Sequence, residues 1–435
     1  MICGAVFSGT PAAGRSDWED HSALYEHRLK RLICLKRSEQ RLCKAQEPDG
    51  QGRVCAFYLF RKVVQLMSWQ DELRNGYRTA EQLAPILGWT PEETARYAQV
   101  IERYPMLIPP YYLSLVDPKD PEDPIARMCV PSLAELDEGG EQDTSGEADN
   151  TKIEGLQHKY AQTALLLSTN QCAMYCRHCF RKRMVGLTDA ELNKRVDEAA
   201  AYVRAHREVN NILVTGGDAF MNPNHILERY LRELTAIEHL DLIRFGSRMP
   251  VTLPERIYGD PEFLDLFEAY GKKKTLVLVT HFNHPRELTA EAARALRAMI
   301  QRGVPVRNQT VLTKGVNDDG ETLGKLLSGL VRLGVMPYYI FQCRPVTGVK
   351  GRFQVPLTEG IRIVDEAKSR QNGLGKAVRY AMSHPRGKIE IVCQLENGET
   401  LFKFHQSKYP EDRSRVFTVP LSPTDTWLDG ELRGV

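Results

Sequence analysis

Asn170-Gln171-Cys172-Ala173-Met174-Tyr175-Cys176-Arg177-His178-Cys179-Phe180-Arg181 stands just past the apolar run Ala164-Leu165-Leu166-Leu167. Its three thiols have the spacing C-x3-C-x2-C. Three soft thiolates this close in sequence can hold three corners of a four-iron cluster and leave the fourth iron open. A fully ligated ferredoxin-type cluster needs a fourth cysteine in register, and none lies nearby. An open iron is a place where a substrate or cofactor binds directly. The competing reading puts offsets 0, 4 and 7 on one helix face, as buried structural cysteines. Arg177, His178, Arg181, Lys182 and Arg183 make the segment a poor core helix, and functional loops sit after strands as this segment does.

Outward from that stretch, apolar runs alternate with amphipathic ones. Candidate strands cover 164–168, 211–215, 242–246, 275–280, 304–312 and 335–341; helical patterns cover 189–206, 226–237 and 290–301. Strands alternating with helices predict an α/β fold with a parallel sheet and right-handed crossovers. Six units predict an open, partial (β/α)6 barrel. In such barrels functional groups gather at the carboxyl ends of the strands. Cys172 to Cys179, Gly216-Gly217-Asp218, Ser247-Arg248, His281, and Gln342-Cys343-Arg344 fall there, with Asn308 and Gln309 inside the fifth strand.

C-x3-C-x2-C is also the signature of radical S-adenosylmethionine (SAM) enzymes. The longer string CAMYCRHCFRKR (172–183) resembles the lysine 2,3-aminomutase family. The resemblance continues through PYYLSLVDPKDPEDP (110–124), TGGDA (215–219), GSRMPVTLPERI (246–257), THFNHP (280–285), NQTVLTKGVND (308–318) and PYYIFQC (337–343), covering roughly 68–395. It implies a partial barrel of the radical SAM type, a helical N-terminal section and a C-terminal β-hairpin segment that binds pyridoxal phosphate (PLP). The implied cofactors are a [4Fe-4S] cluster on Cys172, Cys176 and Cys179, SAM, and PLP. The implied reaction is a 2,3-aminomutase isomerisation, an intramolecular transfer of an amino acid's α-amino group to its β-carbon.

Carried over position by position, the resemblance places Gly216, Gly217 and Asp218 at the methionine amino group of SAM, with His281 and Gln309 near SAM and His178 against its adenine. Lys388, in Ser383-His384-Pro385-Arg386-Gly387-Lys388, matches the lysine that holds the PLP aldehyde, although the family's glycine-rich run is shortened here. Lys159 and Tyr160 match the Arg-Tyr pair at the PLP phosphate, and Thr163 stands where the next arginine is expected. Arg181 matches the arginine that grips the substrate's α-carboxylate, a task suited to a planar fork. Lysine-specific members hold the substrate's side-chain ammonium with one aspartate after the cysteine of the PYYIYQC motif and another before the glycine-rich run. This chain has Arg344 at the first place and Ala381-Met382-Ser383 near the second. An ammonium facing a guanidinium is strongly disfavoured, so the expected substrate has an acidic or polar side chain, glutamate first. The alternative pairs Arg344 with Glu359 or another acid and keeps lysine, free or within a protein-modification pathway. The family's zinc cysteines are absent, with Asp319 at one of their positions and no cysteine after Cys393, so no structural zinc is expected.

The 435 residues carry a formal net charge of +2, which gives no reason to expect a nucleic-acid partner. No apolar run is long enough to span a bilayer, and the start lacks a secretory pattern. Ten cysteines scattered through a large chain argue against a disulfide framework and for a reducing cytoplasm. The expected partners are a small amino acid, an electron donor such as flavodoxin or ferredoxin, and further copies in a homo-oligomer. Residues 1–66, with Cys3, Cys34, Cys43 and Cys55, read as a weakly structured extension, and Met67 is a candidate start. Residues 67–152 read as a helical section ending in an acidic, solvated loop (135–152), 153–372 as the barrel, and 373–435 as the PLP-lysine segment with a hairpin and a tail wrapping the surface. A non-catalytic iron–sulfur redox or sensing protein, and a radical SAM enzyme without PLP, are the remaining alternatives.

Overall fold

Twelve strands form one sheet in chain order in this computed structural model, which describes residues 68–186 and 195–435. They are β1 Thr151–Ile153, β2 Leu156–Tyr160, β3 Thr163–Thr169, β4 Asn211–Gly216, β5 Leu242–Gly246, β6 Thr275–Thr280, β7 Val306–Leu312, β8 Met336–Gln342, β9 Arg379–His384, β10 Gly387–Gln394, β11 Glu399–Ser407 and β12 Val416–Pro420. Neighbours from β3 to β9 are parallel; β1 to β3 and β9 to β12 are antiparallel. The order never returns to β1, so the sheet is an open crescent.

Each strand from β3 to β8 is followed by a helix: Val196–Ala205, Asn224–Thr235, Pro261–Gly271, Ala290–Gln301, Gly320–Arg332 and Leu357–Ser369. These are the six expected units. The fifth strand starts at Val306 rather than 304, and the sixth runs one residue later than expected at both ends. The helix expected from 189 begins in residues outside the described set. Alternation sets the faces: in β7, Val306, Asn308, Thr310 and Leu312 are buried while Arg307, Gln309 and Val311 stay partly accessible. Behind β4 and β5 the core is aromatic, with Phe220, Phe245, Phe263 and Phe267 in edge-to-face and tilted ring contacts at 4.8–6.1 Å.

The N-terminal helices form as their caps dictate. Thr90 and Glu93 make a capping box ahead of Pro91–Arg103, with proline at the first helical position. Three sequence expectations need correction. The acidic stretch 135–152 is not simply solvated: it contains Leu133–Leu136 in part, Glu147–Asn150 and the start of β1, and Glu135 and Glu147 are buried. Acid-rich composition hid two carboxylates whose partners lie far along the chain. The C-terminal tail does not merely wrap the surface, since Trp427, Leu428 and Leu432 are buried and Gln342 at the end of β8 donates to the Thr426 carbonyl at 2.9 Å. The crescent also continues past the sixth strand, because β9 pairs in parallel with β8. The weakly structured extension expected over residues 1–66 and the candidate start at Met67 lie outside the described residues.

Candidate active site

The cysteines occupy an irregular, turn-rich loop after β3, not a helix, so the buried-helix-face reading fails. The loop is stitched down by main-chain bonds from Tyr175 to Leu107 (3.0 Å), Arg177 to Met128 (2.9 Å) and Gly186 to Asn170 (3.0 Å). Its cations are not surface charges either. Arg177 is 1% exposed and, with Lys182 and Arg352, converges on the fully buried Glu135. Burial and Arg177 pull the Lys182 ammonium down to about 7, against the pull of Glu135. Three cations sharing one carboxylate pin the loop to the preceding helical section.

Cys172, Cys176 and Cys179 are free, and no disulfide uses them. Burial raises the Cys172 thiol, helped by Asp218 and Cys179; burial and Cys176 push Cys179 up to about 11. Among the described residues no three His, Cys, Asp or Glu side chains converge on a single ion. A cubane asks for something else, one thiolate per iron. Three thiols close enough for their charges to act on one another fit that demand, and the Arg248 guanidinium Nη1 lies 2.8 Å from Cys176 Sγ, as suits a thiolate.

Gly216 and Gly217 let the end of β4 lie on this loop. Gly216 has φ +128°, and a Cβ there would sit 2.2 Å from the Thr169 carbonyl; one on Gly217 would sit 2.3 Å from that of Gln171. The Asp218 amide donates to Gln171 O at 2.8 Å. Its carboxylate accepts from the main-chain N–H of Phe220 (3.0 Å) and of Arg248 (2.6 Å). Asn170, Arg181, Gly216 and Gly217 line a narrow cleft beside them. His178 and His281 meet edge to face, with ring centroids 5.8 Å apart. His178 is buried, not on the surface, and its Nε2 lies 3.2 Å from Asn283 Nδ2. Its Nδ1 and the Nε2 of His281 are buried without hydrogen-bond partners. Such orphaned groups fit a polar ligand. Burial, then Arg248, lowers both imidazoles, His281 to about 3. Gln309 sits on the accessible face of β7.

The residues expected to hold PLP come together where β2, near one end of the sheet, meets β9 and β10. Lys388 lies in β10 with Nζ 4.1 Å from the Tyr339 ring centroid. Burial, then Arg244, Arg344 and Lys159, pull it down to about 7, which makes a neutral, nucleophilic amine available near neutrality. Lys159 Nζ donates to the carbonyls of His384 (2.6 Å) and Ser145 (3.2 Å), and burial and Arg344 take it to about 7 as well. Tyr160 neighbours it, Lys159 Nζ lying 5.7 Å from its ring centroid. Thr163 instead turns to Asn211, whose amide donates to its hydroxyl at 3.0 Å.

Arg181 and Arg344 both lie over the Phe180 ring, at 4.7 and 4.0 Å. Arg181 Nε donates to Glu147 Oε1 at 2.8 Å, and Arg183 takes the other oxygen at 2.7 Å. Arg344 does not pair with Glu359, which is engaged by Arg362. Its Nη1 is buried without a hydrogen-bond partner, and burial brings it to about 10 even though Glu147 opposes the shift. Sequence reading missed Glu135, Glu147, Glu287, Phe180 and Tyr339. No local spacing marks them; only the acidic stretch, read for its burial, could have suggested the first two.

Residues 166–327 match the Radical SAM superfamily. A putative L-lysine 2,3-aminomutase from Aquifex aeolicus is 42% identical over 340 residues, covering 78% of this chain and 90% of that protein. The L-lysine 2,3-aminomutase of Clostridium subterminale is 38% identical, covering 70% of this chain and 73% of its own length. A glutamate 2,3-aminomutase from Clostridioides difficile is 34% identical, covering 75% of this chain and 78% of its own. The cofactors are therefore a [4Fe-4S] cluster, SAM and PLP. Among the described residues no helix is long and apolar enough to cross a membrane. The chain is a radical SAM isomerase, and it belongs to the lysine 2,3-aminomutase family.

Proposed function

We propose that this enzyme moves the α-amino group of glutamate, or of an amino acid with a similar acidic side chain, to the β-carbon. The observation that carries this reading is the buried, unpartnered Nη1 of Arg344, close enough to Arg181 and Lys159 for their charges to act on one another. A carboxylate there would be held by charge-assisted hydrogen bonds; an ammonium would be repelled by Arg344.

When bound, SAM on the reduced cluster supplies the hydrogen-abstracting radical and PLP the conjugated system that stabilises the migrating centre. Cys172, Cys176 and Cys179 would hold the cluster. Gly216, Gly217 and Asp218, with His178, His281 and Gln309, would line the SAM pocket. Lys388 would bind PLP, Lys159 and Tyr160 would face its phosphate, and Arg181 would orient the substrate's α-carboxylate. Phe180 lies under both Arg181 and Arg344, so one aromatic face supports the two guanidinium groups. A flavodoxin- or ferredoxin-type donor and a homo-oligomeric state complete the proposal, and no zinc is assigned a role. Asp319, at a family zinc position, instead caps Gly320–Arg332 by accepting from Thr322 N.

One observation favours lysine as a second reading: the buried Glu147 carboxylate lies within electrostatic reach of Arg344 and could receive an ammonium if Arg181 moved to the α-carboxylate. Anaerobic incubation with SAM, PLP and equal glutamate and lysine separates the two. β-Glutamate as the dominant product supports the proposal, and β-lysine with inert glutamate reverses it.

A further inference from the structure

Arg248 joins nearly every part of the cluster site. It follows β5, and its side chain is 8% exposed. Nη1 donates to Cys176 Sγ at 2.8 Å, Nε to the His281 carbonyl at 3.0 Å, and Nη2 to Glu287 Oε1 at 2.5 Å and the Tyr112 hydroxyl oxygen at 3.3 Å. Met128 Sδ lies 3.7 Å from Nη2. Its own main-chain N–H donates to Asp218. The anchors are fixed in turn: Tyr112 donates its hydroxyl proton to Glu287 Oε1 at 2.6 Å, and Glu287 Oε2 accepts from the amides of Asn283 (2.7 Å) and His284 (3.1 Å). Every nitrogen of the guanidinium is engaged, which holds Nη1 on the sulfur.

We propose that Arg248 is a positioning residue that sets the cluster's reduction potential through a charge-assisted hydrogen bond to Cys176. The inference rests on the reading that Cys172, Cys176 and Cys179 carry the cluster. Reduction adds one electron, and so one negative charge, to a centre already made anionic by its thiolates. A fixed cation that donates to one of those sulfurs stabilises the reduced form more than the oxidised form, which raises the potential. The alternative is that Arg248 only neutralises Glu287, and then the sulfur contact carries no weight.

The test uses the full-length chain, reconstituted anaerobically, in an EPR-monitored redox titration without SAM or substrate. Because R248Q alone strands the buried Glu287, the double variant R248Q/E287Q is compared with R248K and with E287Q. At the solution potential that half-reduces the wild type, R248Q/E287Q is expected to show at least a tenfold lower reduced-to-oxidised ratio, about 59 mV for one electron. R248K is expected to show a smaller drop, and E287Q to stay nearer the wild type than the double variant. Pulsed EPR of the reduced wild-type chain labelled with 15N-guanidino arginine needs no variant and is expected to show a nitrogen coupling to the cluster. Iron-loaded R248Q/E287Q with an unchanged midpoint, or no arginine coupling in the wild type, overturns the inference alone. A wild-type chain that binds no cluster overturns it together with the cysteine reading.

Discussion

At Arg344 a single guanidinium stands where lysine-specific relatives are expected to carry an aspartate, and its buried Nη1 lacks a partner. Arg344→Asp should lower kcat/KM for glutamate by about 10- to 150-fold, from the ~1.5–3 kcal/mol of a hydrogen bond to a charged group. The same change should raise turnover of lysine, and steady-state kinetics with both substrates checks both directions. Lys388 and Lys159 make a second residue-scale prediction. Each is pulled to about 7 in the folded chain, while an unfolded lysine titrates near 10.4. Below about pH 7 both states are protonated, and the full penalty for burying the ammonium applies. Between about 7 and 10 the unfolded chain binds more protons, so stability of the cofactor-free protein should rise with pH across that window. Lys388→Met should flatten the rise, which urea unfolding at several pH values would show. Of these residues, Lys388, Arg181 and Arg344 could be singled out in the sequence as candidates because motifs flank them. Glu147 was not, because nothing near it in sequence announces that Arg181 and Arg183 will fold onto it.

Among elements, the loop after β3 depends on contacts made far from it. Glu135→Gln would leave Arg177, Lys182 and Arg352 without their shared carboxylate, and should destabilise the chain by about 3–5 kcal/mol, as removal of one partner from a buried charge network does. Thermal melts would measure it. Gly217→Ala tests the other side of the loop. Its Cβ would sit 2.3 Å from the Gln171 carbonyl, so the cysteine loop must shift, and reconstituted iron should fall while the helical circular dichroism signal stays. The six strand–helix units were legible because burial of parallel strands writes itself as short apolar runs, and the hairpin β10–β11 because Glu396-Asn397-Gly398 is a turn signal. β9 was hidden: Arg379–His384 mixes polar and apolar residues, and only its pairing with β8 makes it a strand. The buried tail was hidden for a similar reason, since Trp427 and Leu428 are isolated apolar residues in a polar context.

The whole molecule brings two ends of one sheet to a common concern. The cysteine loop leaves β3 and Lys388, the proposed PLP lysine, sits on β10, so one continuous sheet carries both proposed cofactor-binding groups. Continuity of the sheet from β3 through β12 explains how a resemblance spread over short motifs could report one site. All of the motifs from the cysteines onward lie at or run through a strand end, and the strands are hydrogen-bonded in chain order. The most direct test of this arrangement is iron and acid-labile sulfide per chain after anaerobic reconstitution, in the wild type and in C172A/C176A/C179A. About four irons in the wild type and none above background in the triple variant are predicted. Equal iron in both would contradict it.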